Sequence, residues 1–282
     1  MFDFRNRLFF IIMVLSLSAA SGQSLKVMSY NIRYDNPEDG GNRWELRRQV
    51  LADQVLFYEP DVLGIQEGLK HQVQFLVEAL DGYQFLGVGR DDGAQAGEYC
   101  AIYYKQDAIE VVASGTFWLS TTPDEVSVGW DAALPRICTF AQMRRKLADQ
   151  TFWVFNTHFD HVGEEARAQS ANLILEKISE LTSEGDQVVV IGDFNLEPDT
   201  QPIAAITGAF QDSREVAKAD PYGPVGTFNG FDKDHPLDRR IDYIFISPEA
   251  SVRKYGCLAD LYDGKYPSDH LPVWAEIFLA TP

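Results

Sequence analysis

Asn31, Glu67, His158, Asp193, Asn195, Asp242 and the pair Asp269-His270 each stand at or near the end of a short apolar run. Together their types make a set that hydrolysis of a phosphoester requires. A hard divalent cation takes oxygen ligands, and a carboxylate such as Glu67 supplies them. Another carboxylate, such as Asp193, can orient or deprotonate a water for in-line attack. Charge growing on phosphate oxygens calls for donors, which His158, Asn195 and His270 offer. Asp242 is of the type that fixes the tautomer of a working imidazole such as His270. Taken singly, each residue has a plainer explanation. A Glu after a strand is most often a solvated loop charge, and a strand histidine is most often a satisfied core group. Those explanations are poor when all must hold at once.

The elements that would position these groups can be read from the apolar pattern. Val188 to Ile191 is an uncharged β-branched run, the composition of a strand buried on both faces, and Gly192 then turns the chain into Asp193-Phe194-Asn195. In α/β folds, ligands bind outside the strand ends. Leu25 to Ile32 and Asp61 to Ile65 read as earlier strands. Helices are expected over Trp44 to Phe57, with Val50, Leu51, Val55 and Leu56 inward, and over Lys70 to Leu80, with Val73, Leu76, Val77 and Leu80 inward. Short strands follow at 83–88, 99–105, 109–114 and 116–119 as a meander, and a loop spans 121–135. The sheet resumes at 136–145 and 151–156. A long helix is expected at 164–181 and a short one near 202–207, with a Gly/Pro-rich loop over 220–236. Strands at 241–246, 251–257 and 271–278 complete the chain. Two runs of strands, each with its own helices, predict two sheets packed face to face with helices outside.

The 282 residues are 45% hydrophobic and show no repeat or linker, so one domain over residues 23–282 is expected. Residues 1–22 read as a secretory signal. Arg5 and Arg7 precede the apolar run Leu8 to Leu17, small residues follow, and the run is too short to span a bilayer. The mature chain is expected outside the cytoplasm, periplasmic or secreted, without stable membrane insertion. Net charge is −18 and becomes −19 without that segment, because Asp3, Arg5 and Arg7 leave with it. A surface so acidic, with no Lys/Arg stripe, opposes a dedicated nucleic-acid binder. Cys100, Cys138 and Cys257 lack metal-binding spacing; buried free thiols are expected, with one bridge as the alternative.

The chain resembles the endonuclease/exonuclease/phosphatase superfamily with its deoxyribonuclease-like fold. MSYNIR (28–33), IQE (65–67), NTHFDH (156–161), GDFN (192–195), RIDYIF (240–245) and SDHLPV (268–273) carry the resemblance, in the family's order. It looks most like compact exported bacterial members through GTFWLS (115–120), GWDAALPR (129–136) and a GTF loop (226–228). The resemblance implies a four-layer α/β/β/α sandwich of two mixed sheets and phosphoester hydrolysis dependent on Mg2+ or Mn2+. It implies metal binding by Glu67, Asn31 and Asp269. Asp193 would position the attacking water beside Asn195, His158 would contact phosphate, and His270 would pair with Asp242. Arg136 and Trp130 are substrate-binding candidates, although a structural ion pair explains Arg136 equally well. Arg167 is expected to pair with Asp160, and Glu98 to stand behind the site. Trp130, Tyr222, Phe228 and Phe231 lie on loops able to wall a pocket. A small or lipid-derived phosphoester is the favoured substrate for a monomeric enzyme. A secreted nuclease, for instance an exonuclease, is the alternative, and a non-catalytic binding module is a remote third.

Overall fold

The computed structural model describes residues 24–280. The secretory-signal reading falls outside that range. Strands β1 (Leu25–Asn31), β2 (Val62–Gln66), β3 (Tyr83–Leu86), β4 (Ile102–Lys105), β11 (Ser251–Cys257) and β12 (Val273–Phe278) form one sheet in the order β11-β12-β1-β2-β4-β3. The second sheet takes the order β5-β6-β7-β8-β10-β9. Its strands are β5 (Ile109–Trp118), β6 (Ile137–Arg145), β7 (Gln150–His158), β8 (Val188–Asp193), β9 (Gln211–Asp212) and β10 (Asp242–Ile246). Both sheets are mixed: β1 and β2 run parallel in the first, β7 and β8 in the second.

The sheets pack face to face through Val27, Val62 and Ile102 on one side and Val154, Ile191 and Ile244 on the other. Helices α1 (Trp44–Tyr58) and α2 (Lys70–Ala79) cover the outer face of the first sheet. There Trp44, Leu51, Val55 and Leu76 meet Met28, Leu63 and Ile65. Helices α3 (Glu164–Leu181) and α4 (Gln201–Thr207) cover the second with Ile174, Ile178, Ile203 and Ile206. The four-layer sandwich is therefore present. Close sheet contact is specified at Gly64, where an added Cβ would lie 2.4 Å from Ile191 Cδ1.

Several local expectations differ from the structure. The buried stripe of α1 includes Arg47 and Gln54, while Leu56 is 38% exposed and Val50 only half-buried. Polar anchors turn that helix: Gln54 accepts from the Tyr30 hydroxyl at 3.0 Å, and Arg47 donates to loop carbonyls. On α2, Val77 faces outward. The segment read as two strands around Gly115 is one strand, β5, with an irregularity in register between Val111 and Ala113. All three cysteines are buried free thiols. Among the described residues no helix is long and apolar enough to cross a membrane.

Candidate active site

Glu67, His158, Asp193, Asn195, Asp269 and His270 line one cleft of about 430 Å3, with Asn31 and Asp242 hydrogen-bonded to Asp193 and His270 behind it. Asn31 ends β1, His158 ends β7 and Asp193 ends β8; Asp242 opens β10 opposite Asp193, and Asp269-His270 lead into β12. Just past the ends of β1, β2 and β8 the chain turns aside at Arg33, Glu67 and Asn195, with φ of +55°, +66° and +51°. Non-glycine residues rarely adopt this conformation, and its strain is concentrated where chains must present a side chain. Hydrogen bonds hold it here. The Glu67 carboxylate accepts from Asn31 Nδ2 (2.9 Å) and the Tyr34 N–H (3.1 Å), and the Asn195 N–H donates to Asp193 Oδ1 (2.9 Å).

Asn31 joins the two sheets at the site. Its Nδ2 donates to Glu67 and, at 2.9 Å, to Asp193 Oδ2, while its Oδ1 accepts from the Arg33 N–H. The amide expected at the metal thus spends its groups on the chain and orients two carboxylates. Glu67, Asp193 and His270 each offer a ligand atom, all within 4.8 Å of one another. Two carboxylates and an imidazole suit a divalent cation that accepts oxygen and nitrogen donors. Asp269 lies beside this trio, with Oδ2 3.7 Å from Arg33 Nε.

The electrostatics show crowded acids. Burial and the neighbouring Asp242 push Asp193 up to about 7, against His270 and the Asn31 hydrogen bond. Burial pushes Asp269 up to about 6. Burial alone would lower His270, but Asp242 at 2.9 Å and Asp193 at 3.8 Å outweigh it and push it up to about 10. Asp242 Oδ2 also accepts from the Thr227 hydroxyl at 2.6 Å, so the carboxylate that orients His270 is itself fixed. Burial, then Arg136 and Arg90, hold His158 well below its ordinary value. Asn195 Nδ2 lies 3.2 Å from His158 Nε2 and donates to the Phe159 carbonyl at 3.1 Å. Glu98 is forked by Arg90 at 2.7 and 2.8 Å and stands 3.9 Å from His158 Nδ1; burial and Glu67 push it up to about 7.

Of the two readings of Arg136, the structural ion pair is present. The buried guanidinium meets Asp160 at 3.3 Å, and the residue also lines the cleft. Arg167 donates to the Asp160 carbonyl, not to its carboxylate, which is occupied by Arg136 and the Val162 and Gly163 N–H groups. Phe228 lines the cleft; Tyr222 instead lines a separate cavity of about 390 Å3, and Phe231 packs against Arg47 at 5.5 Å. Trp130 is not among the cleft-lining residues.

Sequence reasoning missed Arg33, Tyr34, Leu134 and His161 at the cleft and Arg47, Arg90 and Thr227 behind it. Arg33 and His161 lie inside motifs already singled out, MSYNIR and NTHFDH, which was the available signal. The Endonuclease/Exonuclease/phosphatase family model matches residues 28–270, which spans the whole constellation. The chain belongs to this family. Among its members of known structure, an endonuclease/exonuclease/phosphatase family protein from Bacteroides thetaiotaomicron is 42% identical. It covers 91% of this chain and 98% of its own at a TM-score of 0.88. A mannosyl-6-phosphatase from Bacteroides thetaiotaomicron VPI-5482 is also 42% identical, over 90% of this chain and 99% of its own, at 0.86. An uncharacterized protein of Acanthamoeba polyphaga mimivirus is 28% identical over 162 residues, 55% of this chain and 60% of that protein. The chain spans between 35% and 60% of the length of the curated relatives it matches. Members of the family are hydrolases acting on phosphoesters.

Proposed function

We propose that this protein is an exported, Mg2+- or Mn2+-dependent phosphoester hydrolase acting on a compact substrate, with a sugar phosphate monoester as the leading candidate. The observation that carries the reading is the convergence of Glu67, Asp193 and His270 at the floor of a cleft rimmed by phosphate-type donors. The similarity to a mannosyl-6-phosphatase supports the sugar phosphate.

A cation held by Glu67, Asp193 and His270 would supply Lewis-acid polarisation of the phosphoryl oxygens. The chain's own residues do the rest. Asp193, at the end of β8 and bonded to the Asn195 N–H, is placed to orient an attacking water. Asn195 and His158 stand beside it as contacts for phosphate oxygens, and Asn31 holds the Asp193 and Glu67 carboxylates in position. Arg136 lines the cleft and brings a buried positive charge to the side where phosphate would bind. His270, made strongly basic by Asp242, stays protonated when no cation claims it, and its Nε2 faces the Asp193 side. Glu98, forked by Arg90, stands 3.9 Å behind His158 Nδ1.

The test is phosphate release from a panel of sugar phosphates, inositol phosphates, lipid head groups and oligonucleotides, each with Mg2+, Mn2+ or chelator. Metal-dependent turnover of a small ester supports the reading. Turnover confined to nucleic acid would transfer the site to the secreted-nuclease alternative.

A further inference from the structure

Arg136 is 4% exposed, and its guanidinium is almost fully committed. Nε donates to Asp160 Oδ1 at 3.3 Å and Nη2 to His161 Nδ1 at 2.9 Å, while buried Nη1 has no partner. Arg136 lines the cleft, so its guanidinium charge stands beside what binds there. On the proposed function, on which this inference rests, that ligand is a phosphate.

Nη2 of the same rigid fork holds His161, which is 53% exposed at the cleft. The imidazole therefore stands one guanidinium edge from the phosphate, where the first atoms of the esterified group must lie. A guanidinium only donates, so Nδ1 of His161 is the acceptor and the ring proton sits on Nε2. Among the described residues that N–H has no intramolecular acceptor. Leu134, two residues before Arg136, lines the same cleft and is 41% exposed. The arrangement offers one hydrogen-bond donor next to an aliphatic face.

We infer that His161 and Leu134 form the subsite for the organic part of the substrate, and that this part is a hydroxyl-bearing ring, a sugar, not a nucleobase. A sugar presents oxygen acceptors at its edge and C–H groups on its face, matching donor and aliphatic contact together. A base needs a free aromatic plate for stacking. The cleft aromatics are partly engaged: Phe228 meets His270 near-perpendicularly with ring centroids 5.2 Å apart, and one face of the Tyr34 ring lies under the Arg33 guanidinium at 4.6 Å. His161 is thus a specificity-determining residue, fixed in tautomer by the arginine that meets the phosphate.

The experiment compares kcat/KM for mannose 6-phosphate with that for p-nitrophenyl phosphate, which carries no hydroxyl, in the wild type and in His161→Ala, His161→Gln and Leu134→Ala. Losing one hydrogen bond to a substrate hydroxyl lowers the sugar-to-aryl ratio about tenfold. His161→Ala is expected to do so chiefly through KM, and Leu134→Ala to lower the ratio by a smaller factor. His161→Gln, which keeps an acceptor for Arg136 and a donor for the sugar, should stay within about threefold of the wild type. An unchanged ratio in His161→Ala overturns the inference. So does a wild type that cleaves the aryl ester but not the sugar phosphate, and that result leaves phosphoester hydrolysis standing. A wild type that cleaves only nucleic acid overturns the proposed function and this inference with it.

Discussion

Glu67 brings its negative charge to the point where Asp193 and His270 converge, and Asn31 and the Tyr34 N–H hold it there. Glu67→Gln keeps the shape and removes the charge a hard cation requires. Calorimetry should show Mg2+ affinity reduced by at least tenfold; unchanged affinity would remove Glu67 from the metal site. His158 is expected to contact phosphate and His270 to hold the cation, and removal of one preorganised group costs about 10²–10³ in rate. His→Ala at either position should lower kcat by that order, measured on the best substrate of the panel. Full turnover would return that histidine to a packing role. These residues were legible because each closes an apolar run, a local signal. Arg90, Arg47 and Thr227 were not, because their work depends on tertiary partners that no apolar run marks: Arg90 meets Glu98, Arg47 meets Pro267, and Thr227 meets Asp242.

The loop after β7 and the segment before β12 are the elements that hold the site's edges. Asp160 accepts from the Val162 and Gly163 N–H groups at the entry to α3 and pairs with Arg136. Burial pushes its carboxyl up, but the Gly163 and Val162 N–H groups and Arg136 outweigh burial and bring it down to about 2. A folded value below the unfolded one gives stability that is present above about pH 4 and lost as pH falls towards 2. Relative to Asp160→Asn, the wild type should be more stable by about 2 kcal/mol at pH 5, and the difference should shrink towards pH 2. Urea unfolding at both pH values measures it, and a difference independent of pH would contradict this account. Arg47 of α1 donates to the carbonyls of Ile32, Arg33, Asn42 and Pro267, tying the end of β1 to the segment that carries Asp269 and His270. Arg47→Leu should destabilise the fold by about 3 kcal/mol, because buried carbonyls lose charged donors. An unchanged unfolding midpoint would show that these bonds contribute little. Periodicity placed α1 but not its rotation, since Gln54 and Arg47 turn inward for hydrogen bonds that no hydrophobic pattern records.

At the scale of the molecule, the layers were legible from two strand runs with their helices, while strand order was not. β1 pairs with both β2 and β12, its partners lying at opposite ends of the chain, and such pairing is set by sheet packing and not by neighbouring residues. A formal charge of −18 also belongs to this scale. Affinity for long nucleic acid comes largely from neutralising successive phosphates. With little to neutralise them, kcat/KM at physiological salt should not rise with oligonucleotide length, and a steep rise would favour the nuclease. All of this stands on one claim, that Glu67, Asp193 and His270 hold a divalent cation used to hydrolyse a phosphoester. The direct measurement is phosphate release from mannose 6-phosphate and p-nitrophenyl phosphate by metal-stripped protein, then with Mg2+ or Mn2+ restored. The account predicts turnover that vanishes on stripping, returns with the cation, and does not return in Glu67→Gln at the same cation concentration. Turnover that persists in the stripped wild type would contradict it.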